Sequence, residues 1–258
     1  MDLNLGGRSA LVTGGSKGIG RAAAERLAAE GCDLVLVARG AGDLEAARAA
    51  IAAKANVQVK VVAADLSIAS TVAALADRFP AIDILVNNAG AIPRGDLAEI
   101  DEARWSAAWA LKVLGYVNMC RAYYALMKAR GSGVIVNIIG AAAQNRDPQY
   151  ICGVAGNAAL TAFTQALGSA SPADGVRVLG VNPGPVATGR METQLRKRAL
   201  DETGDAENWR DLVAPMPFGR AATPEEIGAA IAFLASERSA YTSGAILTID
   251  AGASARHA

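Results

Sequence analysis

Thr13-Gly14-Gly15-Ser16-Lys17-Gly18-Ile19-Gly20 decides how this chain reads. It closes an apolar run over 9–13 and opens a helix-like stretch over 18–30. Glycines at a strand-to-helix turn let the turn close tightly. They also let backbone N–H groups approach a pyrophosphate at a helix N-terminus. A lone glycine motif is weak, but this one sits between a strand and a helix near the N-terminus, the context that gives it meaning. Gly14, Ser16, Lys17, Gly18, Ile19 and Gly20 are the expected phosphate-side contacts.

Outward from that turn, short apolar runs alternate with longer helical patterns. Strands are predicted over 9–13, 33–38, 57–63, 82–87, 133–138, 177–181 and 245–250, rich in Val and Ile with little polar alternation. Helices are predicted over 18–30, 43–55, 69–79, 101–130, 156–169 and 224–236. Thr223-Pro224-Glu225-Glu226 is a well-formed helix start, a capping threonine followed by proline and acids. This alternation predicts one α/β domain over 1–258, a doubly wound, seven-stranded parallel sheet with helices on both faces. The least regular stretch, 185–217, is predicted to mix loop and short helix and is the candidate substrate lid.

Composition narrows the function classes. The 258 residues are 52% apolar and 19% charged, with zero formal net charge. That balance offers no basic face for nucleic acid. No apolar stretch approaches the roughly 18 residues that span a bilayer. Met1-Asp2-Leu3-Asn4-Leu5 lacks the look of a signal peptide, so a cytoplasmic protein is expected. Cys32, Cys120 and Cys152 lie far apart and read as free thiols; no metal site is expected. The only histidine, His257, lies beside the C-terminus, which leaves Cys152 without an evident activating base.

Three motifs together resemble the short-chain dehydrogenase/reductase family, its 3-oxoacyl-carrier-protein-reductase-like members in particular. They are the glycine turn, Asn87-Asn88-Ala89-Gly90 and Asn182-Pro183-Gly184-Pro185-Val186-Ala187-Thr188. Asp65-Leu66, Tyr241-Thr242-Ser243-Gly244 and Ile249-Asp250-Ala251-Gly252 extend the likeness to nearly the whole chain. The resemblance implies a nicotinamide dinucleotide, with adenine on Asp65 and Leu66 and adenosine against Asn88, Ala89 and Gly90. It implies nicotinamide contacts at Pro183, Gly184, Val186 and Thr188, with Asn157 facing the nicotinamide ribose. Where an acid would bind the ribose hydroxyls of NAD, the second strand ends Ala38-Arg39. Arg39 and Lys17 favour a 2′-phosphate, hence NADP(H) over NAD(H). The family also implies a small-molecule substrate and a homo-oligomer, tetramer or dimer.

The family's catalytic set is absent at the matching positions. Its Ser falls on Gly140, its Tyr on Gly153, its Lys on Asn157 and its helix Asn on Lys112. Tyrosine has a pKa near 10 and needs a neighbouring cation to act as a base at neutral pH. Candidates for the vacated roles are Lys112, Tyr150 and Asn157. Lys112 is expected to fill the space beside Gly153, to pair with a carboxylate such as Asp147, or to point away. Tyr150 has Val154, not lysine, four residues on, and reads as a hydrogen-bond donor or a pocket wall. Residues 144–147, Gln-Asn-Arg-Asp, read as a substrate-recognising loop or a solvated turn. Two glycines predict an enlarged cavity beside the nicotinamide. The reading is an NADP(H)-dependent oxidoreductase with a non-standard centre. The alternatives are a lyase or hydrolase using Lys112, or a non-catalytic NADP(H)-binding protein.

Overall fold

Seven runs of small and β-branched residues form one all-parallel sheet: β1 (Ser9–Thr13), β2 (Asp33–Ala38), β3 (Val59–Ala63), β4 (Ile84–Asn87), β5 (Gly133–Ile138), β6 (Val176–Pro183) and β7 (Ile246–Ile249). The computed structural model describes residues 2–144 and 146–257, the side chains of Arg256 and His257 excepted. Asn145 of the expected recognition loop and the His257 side chain therefore lie outside the described residues. Strand order is β3-β2-β1-β4-β5-β6-β7. The direction of winding reverses between β1 and β4. Ligands of such sheets bind at that switch point, beyond the carboxyl ends of the strands.

The helices are α1 (Gly18–Ala29), α2 (Ala41–Ala52), α3 (Ala69–Arg78), α4 (Glu102–Trp109), α5 (Gly115–Arg130), α6 (Ile151–Ala170), α7 (Gly189–Thr203) and α8 (Pro224–Ala235). Neighbouring strand residues feed opposite faces of the sheet. Val12, Leu36, Val86 and Val136 pack with Leu27, Leu44, Ile227 and Ile231 from α1, α2 and α8. Leu11, Val35, Leu85 and Ile135 pack with Val72, Leu75, Met119 and Tyr123 from α3 and α5. No helix among the described residues is long and apolar enough to cross a membrane.

Three elements differ from expectation. The 101–130 segment is continuous but slips into a π turn at Ala110–Leu114, between α4 and α5. A π turn holds an extra residue and rotates the side chains after it; such bulges collect at functional sites. α6 starts at Ile151, not 156. Gly153 and Gly156 look like helix breakers, yet both are buried inside it. A Cβ at Gly156 would lie 3.3 Å from both the Trp109 and Val113 side chains, so the glycine serves close helix packing.

The third difference is α7, a full 15-residue helix inside the irregular stretch 185–217. Its charge hid it, because only Leu195 and Ala199 are buried. Thr188 caps it, accepting from the Met191 N–H at 3.3 Å. Ion pairs Glu192–Arg196, Lys197–Asp201 and Arg198–Glu202, each four residues apart, support it.

Candidate active site

The glycine turn is built for close approach. Gly14 and Gly18 have φ of +64° and +54°, in the left-handed region. A Cβ on Gly20 would lie 2.4 Å from the Asn88 amide nitrogen and 2.3 Å from the Gly14 carbonyl. That amide donates to the Thr13 and Gly14 carbonyls at 3.1 and 3.3 Å, while Thr13 Oγ1 accepts from the Asn88 and Ala89 N–H groups. Asn88 thus pins the turn to the segment after β4. Its side chain is spent on scaffolding. α1 has no side-chain cap and no acid in its first turn, so the N–H groups beside Ser16, Lys17 and Ile19 stay open to an anion.

The other expected cofactor contacts border the same groove. Asp65 Oδ1 accepts from the Ser67 N–H and hydroxyl, which holds its pKa below the usual carboxylate value. The Leu66 side chain is buried in the core. Lys17 pairs with Asp43 at 2.8 Å, a partner the sequence reading did not foresee. Gly184 packs against Asp250, which a Cβ would meet at 2.7 Å, and Val186 is buried in the core facing Ala222. Pro183 ends β6, and the Thr188 methyl lies 3.1 Å from where a Gly18 Cβ would stand. The loop after β6 therefore rests on the glycine turn.

Neither Gly153 nor Gly140 leaves a void. A Cβ on Gly153 would fall 2.1 and 2.2 Å from Tyr150 Cε1 and Cζ. The Tyr150 ring occupies that volume. Gly140, at φ +140°, has the Asn157 amide nitrogen 2.9 Å from its own missing Cβ. The expected enlarged cavity is thus corrected: each vacancy is filled by a neighbouring polar side chain. Asn157 is 4% exposed and its Oδ1 has no partner among the described residues. Asn182 Oδ1 accepts from the Gly140 N–H at 3.2 Å, leaving its Nδ2 unpartnered.

Lys112 does not enter the Gly153 space, nor does it pair with Asp147. The π turn directs it inward, beneath Gly90, where a Cβ would meet Lys112 Cδ at 2.6 Å. Its Nζ donates to the Ile138 carbonyl at 2.5 Å and to Tyr116 Oη at 2.8 Å. Tyr116 donates to the same carbonyl at 3.0 Å. Among the described residues no carboxylate neutralises the amine, and burial, with the Arg190 charge adding to it, pushes its pKa down to about 7. Asp147 is held by Arg94 instead, at 2.7 Å.

Arg190, in the first turn of α7, completes the site and was not foreseen. Its guanidinium donates to the Gly90 and Ile92 carbonyls at 2.8 and 2.7 Å. Burial raises the pKa of Tyr150, and the neighbouring Arg190 and Arg94 charges oppose that rise. Below the site, Asn87 donates to Asn137, which donates to Thr164, both at 2.9 Å within the core. The signal for this chain was in the sequence, as Asn87 and Asn137 interrupt otherwise apolar strands. Arg190 was less visible; its cue is its place just beyond the 182–188 motif. Among the described residues no cluster of His, Cys, Asp and Glu could hold a metal.

A sheet of this order, a glycine turn at its switch point and a polar centre beyond β5 make the chain a member of the short-chain dehydrogenase/reductase family. The family model described as enoyl-(acyl carrier protein) reductase matches residues 14–254. The cis-4-hydroxycyclohexanecarboxylate dehydrogenase of Sinomonas cyclohexanicum is 37% identical over 255 residues, 95% of this chain and 96% of the relative. The galactitol 2-dehydrogenase (L-tagatose-forming) of Cereibacter sphaeroides is 36% identical over 251 residues, 96% and 95% of the two chains. Among solved structures, L-sorbose reductase from Gluconobacter frateurii, complexed with NADPH and L-sorbose, superposes with a TM-score of 0.90 at 32% identity, covering 97% of this chain and 98% of that one.

Proposed function

We propose that this short-chain oxidoreductase is NADP(H)-dependent and reduces a small carbonyl compound with a rebuilt proton-donor set. The observation that carries the reading is the Tyr150 ring lying in the volume of a Gly153 side chain. A phenol from three residues upstream reaches the place left open by the missing side chain. Asn157 does the same at Gly140, bringing an amide to the end of β5.

NADPH, when bound, supplies a hydride to the carbonyl carbon. Tyr150 Oη donates its proton to the carbonyl oxygen, and solvent returns a proton to the phenolate. Its raised pKa keeps the phenol protonated in the resting site, which suits reduction. Arg190 and Arg94 stabilise the phenolate as it forms, in place of the family's lysine. The Asn157 amide steadies the carbonyl. Lys112 is a positioning residue: it holds the Ile138 carbonyl, and with it the strand end that carries Gly140. Its amine is taken up by the Ile138 carbonyl and Tyr116 Oη and the residue is 8% exposed, which favours this reading over imine chemistry on Lys112. Lys17 and Arg39 support a 2′-phosphate, with Asp43 as the competitor that the phosphate must displace.

We read α7 and the loop leading into it as the substrate lid. The 55% exposed Leu114, at the end of the π turn that leads into the long helix α5, supports assembly as a dimer or tetramer.

The test is NADPH-dependent reduction across a carbonyl panel. Tyr150→Phe is expected to lower kcat by about 10²–10⁴-fold while NADPH binding is retained. Gly153→Ala, whose methyl would strike the Tyr150 ring, is expected to do the same. Full activity in both variants would remove Tyr150 from the mechanism.

A further inference from the structure

Several charges around the mouth of the site are matched. Arg94 pairs with Asp147, and Arg196 pairs with Glu192 and Glu207. Lys17, on the cofactor side, pairs with Asp43. Arg190 has no carboxylate within ion-pair distance among the described residues. Its two hydrogen bonds go to the Gly90 and Ile92 carbonyls, which are neutral. Carbonyls orient a guanidinium but leave its charge uncompensated, and even with a further donor turned to the Tyr150 hydroxyl part of its five N–H set remains free. The segment it grips, between β4 and α4, also meets the start of α6. Gly95 donates to the Gln149 carbonyl at 2.8 Å, and Gly95 and Tyr150 form a parallel bridge. Arg190 is therefore fixed beside the proposed proton donor, at an open mouth, with a fork of donors to spare.

We infer that Arg190 is a specificity-determining residue and that the substrate is an oxo acid, its carboxylate held by the Arg190 guanidinium while Tyr150 faces its carbonyl. A planar carboxylate matches two parallel guanidinium donors, and the charge-assisted pair is among the stronger polar contacts a site can offer. A neutral sugar or alcohol would leave that cation without a partner at the point of reaction. Trp105, Trp109 and the Tyr150 ring pack on the buried cluster of Ile92, Ile100 and Cys152, so the surroundings of the proposed proton donor are apolar and suit a short hydrocarbon skeleton. The inference rests on the carbonyl-reductase reading for its carbonyl half, whereas its anion half stands on Arg190 alone.

The experiment uses the NADPH-loaded protein and a panel of 2-, 3- and 4-oxo acids, each paired with its methyl ester. Binding is measured by calorimetry and turnover by NADPH oxidation. At least one acid is expected to bind about tenfold or more tightly than its ester, with the difference shrinking as salt rises. In Arg190→Met the acid-to-ester ratio is expected to fall to near one, and Arg190→Lys is expected to restore part of it. Equal binding of every acid and ester overturns the inference, as does binding of neither. A ratio that persists in Arg190→Met also overturns it. Two outcomes separate the halves. Acids that bind selectively without NADPH oxidation uphold the anion site and count against the reductase reading. Esters reduced as well as acids uphold the reductase and remove the anion site.

Discussion

Lys112 is costly to keep. Its ammonium is buried with a backbone carbonyl and a phenol and no counter-charge, which brings its pKa from 10.5 down to about 7. The unfolded chain binds this proton more tightly than the folded one, so stability rises with pH between about 7 and 10.5, by at most about 1.4 kcal/mol per pH unit from this group. The burial penalty is present in full below pH 7. Cys32 and Cys120 act in the opposite sense at higher pH. Burial pushes both thiols up to about 12, so the fold loses stability as pH climbs past their ordinary value of 9.0. The clean window for Lys112 is therefore pH 7 to 8.5. Lys112→Met keeps the stem under Gly90 and leaves Tyr116 bonded to Ile138. The variant is expected to melt several degrees higher at pH 7, at about 2–4 °C per kcal/mol for a chain of this size, and to lose the rise toward pH 8.5. Melting curves across that window check it; a less stable variant with an unchanged pH slope would refute it. The sequence marked Lys112, Tyr150 and Asn157 because they stood in or near the family's positions. It did not reveal that Tyr150 takes the Gly153 volume or that Asn157 takes the Gly140 direction. Those facts depend on rotamers and on where α6 begins, which residue identity alone does not specify.

At the scale of elements, the reading is best where local rules act without competition. Thr223-Pro224-Glu225-Glu226 behaves as predicted: Thr223 Oγ1 accepts from the Glu226 N–H at 3.2 Å, and the Glu226 carboxylate accepts from the Thr223 N–H at 2.7 Å. Arg220 also binds that carboxylate, and together these bonds hold its pKa down to about 2. Thr223→Ala is expected to cost about 1 kcal/mol of stability, seen as a melting temperature lower by about 2–4 °C, without changing NADPH affinity. Unchanged melting would mean the Arg220–Glu226 pair holds this helix start unaided. The reading is weakest where a tertiary demand overrides propensity. Gly153 and Gly156 sit in α6 because packing against Tyr150, Trp109 and Val113 requires them. α7 carries too few apolar residues to register as a core helix, although its capping threonine and spaced ion pairs were there to read. The π turn at Ala110–Leu114 has no local sequence signature and shows only in the direction of Lys112.

Over the whole molecule, the strand order and the glycine turn put the site at one place, between the ends of β1 and β4. The groove there is bordered by residues from separated segments, 14–20, 65–66, 88–92, 140–144, 150–157 and 183–190. Arg190 lay in the stretch marked as a lid, but its reach to Gly90 and Ile92 was not marked. The central claim is the proposal that this scaffold carries out NADP(H) chemistry with a rebuilt proton-donor set. The most direct test is calorimetric titration of the purified protein with NADPH and with NADH. The account predicts micromolar binding of NADPH, weaker binding of NADH, and loss of that preference when Lys17 and Arg39 are both replaced by alanine. Absence of binding by either dinucleotide would contradict it and would leave a fold reused for other chemistry.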